Sequence, residues 1–329
     1  MNILVTGGTG FIGSHTAIEL IKSGHNPVIV DNLANSKITV LDRIKSISGV
    51  KPDFYELDVA DKAALTEVFK RYHFDACIHF AGLKAVGESV QKPVEYYKNN
   101  IMSTLTLLEC MKEYGCKALI FSSSATVYGD PASLPIREDF PLSTTNPYGA
   151  TKHMIERILK DFQHANPDFS VTLLRYFNPV GAHPSGLIGE DPNGIPNNLM
   201  PLIIKAAKGE MTLKVFGNDY DTADGTGVRD FIHVCDLADG HVDALGNAAK
   251  PGVYIYNLGT GNGFSVLELI NAFERVNNVK VPYVFSDRRP GDIAACYADS
   301  SKARNEIGFK AERGIDEMCR DAWNYAKDK

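Results

Sequence analysis

A glycine-rich turn directly after the first apolar run constrains the fold more than any other feature of the chain. Residues 3–6 are apolar, Gly7, Gly10 and Gly13 follow, and a helical pattern of apolar residues continues through Ile21. Glycines at this spacing permit a tight turn, close approach of the backbone to a pyrophosphate and close packing of helix on strand. The helix N-terminus offers free N–H groups to phosphates. The pattern therefore predicts a dinucleotide-binding βαβ unit.

An acidic residue ends the second predicted strand, 28–30. Asp31 lies eighteen residues after Gly13, where a carboxylate accepts hydrogen bonds from the ribose diol of NAD. The same charge repels the 2′-phosphate of NADP, so the sequence favours NAD as the cofactor. A glycine loop with a merely structural role is the alternative.

Strands and helices continue to alternate through the first half of the chain. This order predicts a Rossmann-type, doubly wound α/β fold with a parallel sheet covered by helices on both faces. Ligands bind at the carboxyl ends of such strands, and Gly7, Asp31, Asp58, Gly82 and Ser124 each follow a predicted strand. Later strands are predicted at 54–57, 76–80, 118–121 and 171–175, and helices after Asp61, over 93–114 with a possible irregularity at Asn99–Asn100, and from Tyr148.

The second half is less regular and is rich in Pro, Gly and Asn from residue 178 to residue 198. An apolar stretch at 253–258 is expected to join the main sheet. We therefore expect interleaved domains: an NAD-binding domain over 1–177, joined by parts of 228–260, and a smaller α/β substrate domain over 178–329. Helices are predicted at 199–207, at 315–325 and after the capping box at Ser265, and a strand at 213–216.

Composition narrows the possible partners. The net charge of −6 over 329 residues gives no general attraction to nucleic acid or to anionic membranes. No apolar run approaches the ~20 residues that span a bilayer, and no signal-peptide pattern precedes the first strand. The six cysteines form no C-x-x-C pair and the nine histidines show no metal-ligand spacing. We therefore expect a cytoplasmic protein with reduced thiols and no catalytic metal.

Tyr148 and Lys152 are four residues apart in a predicted helix, so they lie on one face. An ammonium beside a phenol favours the phenolate and lowers the pKa of the tyrosine, which can then act as a general base at an alcohol. Ile155 and Leu159 continue the same stripe, which predicts that the pair faces the sheet. Most tyrosine–lysine pairs at this spacing are ordinary surface residues. The predicted strand ends around this pair, where ligands bind, favour a catalytic role for it.

Arg229 and Arg289 stand out among the loops of the second half, because guanidinium groups suit phosphates. Each alone is more often an ordinary surface arginine. Arg289 is the more distinctive, since Pro290, Gly291 and Asp292 follow it.

Long stretches of the chain match the motifs of one family. They are TGGTGFIGSH at 6–15, DNLANS at 31–36, HFAGLKAVGESVQKP at 79–93, FSSSATVYGD at 121–130, NPYGATK at 146–152, LRYFNPVGAHPSG at 174–186, GIPNNLMP at 194–201 and DGTGVRDFIHVCDLADGH at 224–241. On these stretches, which span nearly the whole length, the chain resembles the extended short-chain dehydrogenase/reductase family, and within it the UDP-hexose 4-epimerases.

The resemblance implies a role for each matching residue. Tyr148 would be the catalytic base, Lys152 its electrostatic partner, and Ser124 a hydrogen-bond partner of the reacting sugar hydroxyl. NAD would take the hydride from C4 of a UDP-sugar and return it to the opposite face, through a transient 4-keto sugar. Members are usually homodimers that pair the helices near 93–114 and 148–165.

The same resemblance implies two sets of binding residues. The NAD site would comprise Gly7, Gly10, Phe11, Ile12, Gly13, Asp31, Asn32, Asn35, Ser36, Asp58, Val59, Phe80, Ala81, Gly82, Lys84, Asn99, Ser122, Tyr148, Lys152 and Phe177. The UDP-sugar site would comprise Lys84, Ser124, Tyr148, Phe177, Asn178, Asn198, Leu199, Phe216, Arg229, Arg289, Asp292 and Cys296.

The same motifs disfavour several related activities. Sugar-nucleotide 4,6-dehydratases carry an Asp-Glu pair after the serine or threonine, whereas Ala125 and Thr126 follow Ser124 here. Asp31 disfavours an NADPH-dependent reductase, and the matched motifs supply no extra cation for a UDP-uronate. Another UDP-sugar-modifying member of the family, or a non-catalytic NAD-binding regulatory protein, remains the alternative.

Cys296 departs from the pattern of bacterial members restricted to glucose and galactose, which carry a tyrosine at this position. A thiol is much smaller than a phenol. The resemblance therefore predicts space for a 2-acetamido group and interconversion of UDP-GlcNAc and UDP-GalNAc as well. The alternative is a cysteine that merely packs against its neighbours.

Overall fold

A parallel sheet of seven strands lies at the centre of the computed structural model, which describes residues 1–193, 196, 198–289 and 291–328. The strands in chain order are β1 (Asn2–Thr6), β2 (Asn26–Asp31), β3 (Asp53–Glu56), β4 (Ala76–His79), β5 (Ala118–Ser124), β6 (Ser170–Tyr176), β7 (Asn178–Val180), β8 (Leu213–Phe216), β9 (Val228–Arg229), β10 (Phe231–His233), β11 (Gly252–Leu258), β12 (Phe264–Ser265), β13 (Tyr283–Ser286) and β14 (Ala295–Cys296). The helices are α1 (Phe11–Lys22), α2 (Val40–Ser48), α3 (Lys62–Arg71), α4 (Val86–Gln91), α5 (Pro93–Tyr114), α6 (Pro147–Ala165), α7 (Leu199–Ala207), α8 (Val234–Ala244), α9 (Val266–Asn277), α10 (Ser301–Ile307) and α11 (Ile315–Ala326).

The strand order of the main sheet is β11-β6-β5-β4-β1-β2-β3, and all neighbours are parallel. From β1 the chain first adds β2 and β3 on one side and then adds β4 and the later strands on the other side. This is the doubly wound arrangement of dinucleotide-binding folds. Strand β11 pairs with β6 from Gly252 opposite Ser170 to Leu258 opposite Tyr176. The predicted fold class is confirmed, and so is the prediction that 253–258 joins this sheet.

Apolar clusters cover both faces of the sheet. On one face Ile18 of α1 packs with Leu237 of α8 against sheet residues such as Ile3. On the other face Leu107 of α5 and Ile155 of α6 belong to the second cluster. Helix α8 comes from the second half of the chain, so residues of both halves build the layers around the main sheet.

A smaller layer is built from α7, α9 and α11 beside the two-stranded sheet β8–β13. Its apolar cluster includes Ile203, Phe273 and Met318. The capping box predicted at Ser265 is confirmed, because the Ser265 hydroxyl accepts from the Glu268 N–H while the Glu268 carboxylate accepts from the Ser265 N–H.

The predicted irregularity of the helix at Asn99–Asn100 is wrong, because α5 runs unbroken from Pro93 to Tyr114. The Asn100 side chain turns away from its own helix. Its Oδ1 accepts from the Leu83 N–H at 2.7 Å, and its Nδ2 donates to the Leu83 carbonyl and to Thr151 Oγ1. The amide therefore joins the loop after β4 to α6 instead of disturbing α5.

Among the described residues, no helix is both long enough and apolar enough to span a membrane.

Candidate active site

A cavity of about 370 Å³ opens at the carboxyl ends of the central strands. Every residue predicted for the NAD site lines it: Gly7, Gly10, Phe11, Ile12, Gly13, Asp31, Asn32, Asn35, Ser36, Asp58, Val59, Phe80, Ala81, Gly82, Lys84, Asn99, Ser122, Tyr148, Lys152 and Phe177. Of the predicted UDP-sugar residues, Lys84, Ser124, Tyr148, Phe177, Asn178 and Asn198 line it, whereas Leu199, Phe216, Arg229, Arg289, Asp292 and Cys296 lie outside its wall.

The glycine turn packs closely against neighbouring backbone, with no room for side chains at Gly7 and Gly13. Gly7 has φ +69°, and a Cβ added there would lie 2.8 Å from the Ala81 nitrogen. A Cβ added at Gly13 would overlap the Gly7 carbonyl oxygen. Helix α1 begins just after this turn, and no side chain of the described residues caps its N-terminus. Its first N–H groups are therefore free to bind a phosphate, and the turn fits a dinucleotide.

The Asp31 carboxylate is fixed at the end of β2, on the cavity wall. It accepts hydrogen bonds from the Thr9 N–H at 3.1 Å, the Leu33 N–H at 2.9 Å and the Ser36 hydroxyl at 3.2 Å. These donors hold both oxygens at the place that a ribose diol takes in dinucleotide-binding folds. The arrangement fits NAD.

Helix α6 places Tyr148 and Lys152 on the cavity side. The helix starts at Pro147, and the Asn146 side chain caps it by accepting from the Gly149 N–H at 2.8 Å. The Lys152 ammonium is buried and donates to the Ser122 carbonyl at 2.6 Å. The prediction that this pair faces the sheet is confirmed.

The predicted lowering of the Tyr148 pKa is wrong for this geometry. Burial raises the pKa of Tyr148 to about 12, although a hydrogen bond with Ser124 acts in the opposite direction. Burial lowers the pKa of Lys152 to about 8, although the charge of Glu156 opposes that shift. The ammonium lies 5.8 Å from the centre of the Tyr148 ring and donates to the Ser122 carbonyl. Desolvation therefore outweighs the stabilisation of a phenolate by Lys152.

A buried ion pair that the sequence reasoning missed lies one helical turn beyond Lys152. The Glu156 carboxylate accepts from Arg175 Nε at 2.9 Å and Arg175 Nη2 at 2.7 Å, and from the Ser123 hydroxyl at 2.6 Å. Both charged side chains are about 1% exposed. Glu156 continues the buried stripe of Tyr148 and Lys152, and a carboxylate in such a stripe was the available signal that a buried cation faces it.

The three serines at the end of β5 therefore hold three successive turns of α6. Ser124 contacts Tyr148, the Ser122 carbonyl accepts from Lys152, and the Ser123 hydroxyl donates to Glu156. Pairing of Ser122–Ser124 with β6 makes β5 longer than the predicted 118–121.

Three residues predicted to bind UDP meet at one place outside the cavity wall. Arg289 Nε donates to Asp292 Oδ2 at 2.8 Å, and its guanidinium lies 4.9 Å from the centre of the Phe216 ring. The Asp292 carboxylate, which accepts from Nε and Nη2, and the Phe216 ring hold the guanidinium in place, and a guanidinium suits a phosphate.

Cys296 lies beside Arg229, because β14 pairs with β9 and places the two residues opposite each other. Cys296 also packs against an apolar cluster that contains Phe177 and Val127. One residue of that cluster, Phe177, also lines the cavity. Burial raises the pKa of Cys296 to about 11, so the thiol stays protonated at neutral pH.

Glu190 is a further cavity residue that the sequence reasoning missed. Its Oε1 accepts from Asn198 Nδ2 at 2.6 Å and from Lys84 Nζ at 3.2 Å. The Glu190 carboxylate therefore joins Lys84, which is predicted for both the NAD site and the UDP-sugar site, to Asn198, the residue before α7. Leu199 is the first residue of that helix.

A Rossmann-type sheet with a dinucleotide cavity and a tyrosine–lysine pair on its wall defines a dinucleotide-binding protein of the short-chain dehydrogenase/reductase type. A sequence profile described as the NAD dependent epimerase/dehydratase family matches residues 3–259. The chain belongs to this family, and its cofactor is NAD.

Similar proteins match the chain over its whole length. The UDP-glucose 4-epimerase of Bacillus subtilis (strain 168) is 59% identical over 99% of this chain and 96% of its own. The crystal structure of the UDP-glucose 4-epimerase from Bifidobacterium longum, in complex with NAD+ and UDP, has a TM-score of 0.97 and 55% identity, over 100% of this chain and 99% of that one. The UDP-Glc/GlcNAc 4-epimerase from Campylobacter jejuni has a TM-score of 0.87 and 36% identity, over 100% and 99%.

Proposed function

We propose that the protein catalyses the 4-epimerisation of UDP-hexoses and interconverts UDP-galactose and UDP-glucose. The observation that carries the proposal is the position of Tyr148, Lys152 and Ser124 on the wall of the cavity that also contains the glycine turn and Asp31. The similarity to UDP-glucose 4-epimerases over the whole length supports it.

Tyr148, Ser124 and Lys152 each have a separate role in the reaction. Tyr148 takes the proton of the sugar 4-hydroxyl and later returns it, and Ser124 orients that hydroxyl. The Ser124 hydroxyl accepts from the Thr126 N–H at 3.2 Å and forms a hydrogen bond with Tyr148, so it lies next to the phenol that exchanges the proton. NAD, when bound, accepts the hydride from C4 of the sugar and gives it back. The Lys152 ammonium favours the ionised phenol and so opposes the raising of the Tyr148 pKa by burial.

The UDP part of the substrate would lie against the second half of the chain. Arg289 would bind the diphosphate, held by Asp292 and Phe216, with Arg229 and Cys296 nearer the sugar. The NAD-binding domain would span 1–177 with parts of 228–260, and the UDP-sugar domain 178–329. The pairing of β11 with β6 supports the interleaving.

Turnover without added cofactor tests the proposal. The purified protein, with the NAD that it retains, is incubated with UDP-galactose, and the products are separated by chromatography. An epimerase forms UDP-glucose until the two sugars reach equilibrium. A non-catalytic NAD-binding protein leaves UDP-galactose unchanged, and a different UDP-sugar enzyme forms another product; either result contradicts the proposal.

We also propose that UDP-GlcNAc and UDP-GalNAc are interconverted, because the small Cys296 side chain packs against the apolar cluster that contains the cavity residue Phe177. Cys296→Tyr is expected to lower kcat/KM for the N-acetylated sugars at least tenfold, since the phenol fills the space of the acetamido group, and to spare UDP-galactose. Steady-state rates on both sugar pairs measure the effect, and Cys296→Ala is the matched control. If the Cys296→Tyr variant keeps full activity on N-acetylated sugars, Cys296 does not determine which UDP-sugars the protein accepts.

A homodimer through α5 and α6 is proposed as well. Val94, Met102 and Met154 on these helices expose 76%, 46% and 46% of their surface, and exposed apolar side chains suit a protein interface. Light scattering that gives the mass of a single chain would contradict it.

The six cysteines are all free thiols, which supports a location in a reducing compartment, the cytoplasm. Cell fractionation that finds the protein outside it would contradict that location.

A further inference from the structure

A short segment of the second half of the chain crosses the NAD cavity. This segment, residues 189–193, is named the strap here. Its residues Gly189, Glu190, Asp191 and Pro192 line the cavity. None of the residues predicted for the NAD site comes from this part of the chain.

The strap is joined to the loop that follows β2. Lys37 Nζ donates to Asp191 Oδ2 at 2.7 Å, and both side chains are nearly half exposed. The Asn193 N–H donates to Asn35 Oδ1 at 3.0 Å, and Asn193 Nδ2 donates to the Ala34 carbonyl at 3.1 Å. This loop also carries Ser36, which bonds Asp31, so the strap is joined to the wall where the ribose is expected.

The strap is also joined to the opposite wall. Glu190 Oε1 accepts from Lys84 Nζ at 3.2 Å, and Lys84 belongs to the loop after β4. At its start, Gly189 pairs with Ala182 in a β-bridge, and a Cβ added at Gly189 would overlap the Tyr325 ring. The strap is therefore fixed at one end and bonded to two loops that lie on separate walls of the cavity.

We propose that the strap retains NAD: the Lys37–Asp191 ion pair and the Asn193 hydrogen bonds must open before the dinucleotide leaves. Release is then a gated step, as for other loops that close over a ligand. An exposed ion pair contributes modestly and is screened by salt. Wild-type release is therefore expected to speed up with ionic strength, and to do so less in a variant without the pair.

Release of NAD from the loaded protein tests the proposal. Holoprotein is diluted into excess alcohol dehydrogenase and ethanol, which convert released NAD to NADH and report the rate by absorbance. We expect Lys37→Met and Asp191→Asn each to speed release about two- to fivefold, from the strength of an exposed pair. The double variant is expected to equal the single ones, because either change removes the same interaction. Asn193→Ala is expected to add its own increase.

Lys51→Met is the matched control, because Lys51 forms an exposed ion pair of 2.7 Å with Asp42 of α2, and neither residue lines the cavity. That variant is expected to release NAD at the wild-type rate. If only Lys37→Met speeds release, Lys37 contacts the cofactor directly and the strap proposal fails. The proposal is also overturned if the Asp191→Asn and Asn193→Ala proteins both release NAD at the wild-type rate. Epimerisation is not the readout, so this result is independent of the proposed activity.

Discussion

Tyr148→Phe is expected to lower kcat for UDP-galactose by a factor of ~10²–10⁴, the usual contribution of a positioned general acid–base group. Phenylalanine keeps the ring that packs on the cavity wall and removes only the hydroxyl that exchanges the proton with the sugar. KM for UDP-galactose should change little, because the diphosphate handle is bound elsewhere.

The NAD content and the thermal midpoint of the Tyr148→Phe protein are the controls. Both should match the wild type, since Lys152 donates to the Ser122 carbonyl and not to the phenol. A phenylalanine variant that turns over at more than a tenth of the wild-type rate would show that another group moves the proton. Ser124 would then be the next residue to replace.

Glu156→Gln is expected to lower the free energy of unfolding by about 3–5 kcal/mol, the cost of leaving one partner of a buried ion pair uncompensated. Glu156 and Arg175 are both about 1% exposed, so water cannot replace the lost charge. Urea unfolding at neutral pH measures the effect.

An exposed pair on the same helix provides the matched control. Arg157 binds Asp161 at 2.8 Å on the solvent side of α6. Asp161→Asn should leave the urea midpoint nearly unchanged, because exposed pairs contribute little. A Glu156→Leu/Arg175→Met protein should recover much of the loss, since it removes both charges of the pair. Equal effects of Glu156→Gln and Asp161→Asn would contradict the account of the buried pair.

Glu156 also bears on the chemistry through Lys152. Its negative charge raises the pKa of Lys152 against the lowering by burial. In the glutamine variant the ammonium should lose its proton at a lower pH, so the alkaline decline of kcat should move to lower pH. An unfolding effect alone would reduce the amount of active protein without moving this limb.

The residues at the strand ends could be predicted because each follows a short apolar strand in the chain. Gly7 and Asp31 carry local signals: a positive φ that favours glycine, and an acidic residue at a fixed distance. Tyr148 and Lys152 were placed by helical spacing. Such signals depend on neighbours in sequence, and the structure brought these four residues to one cavity.

The residues that sequence reasoning missed depend on contacts between distant segments. Glu156 meets Arg175 across a helix and a strand, and the expected lowering of the Tyr148 pKa failed because burial depends on the packed structure. The strap has the sequence Gly-Glu-Asp-Pro-Asn in an aperiodic stretch, where no spacing predicts its partners. Lys37 and Asp191 are 154 positions apart in the chain.

The fate of the hydrogen at C4 tests the central claim most directly. UDP-galactose carrying deuterium at C4 is incubated with the purified protein in ordinary water, and the UDP-glucose formed is analysed by mass spectrometry. Transfer through tightly held NAD predicts that the deuterium stays at C4 of the product. Loss of the deuterium to solvent, or no UDP-glucose at all from NAD-loaded protein, would contradict the account.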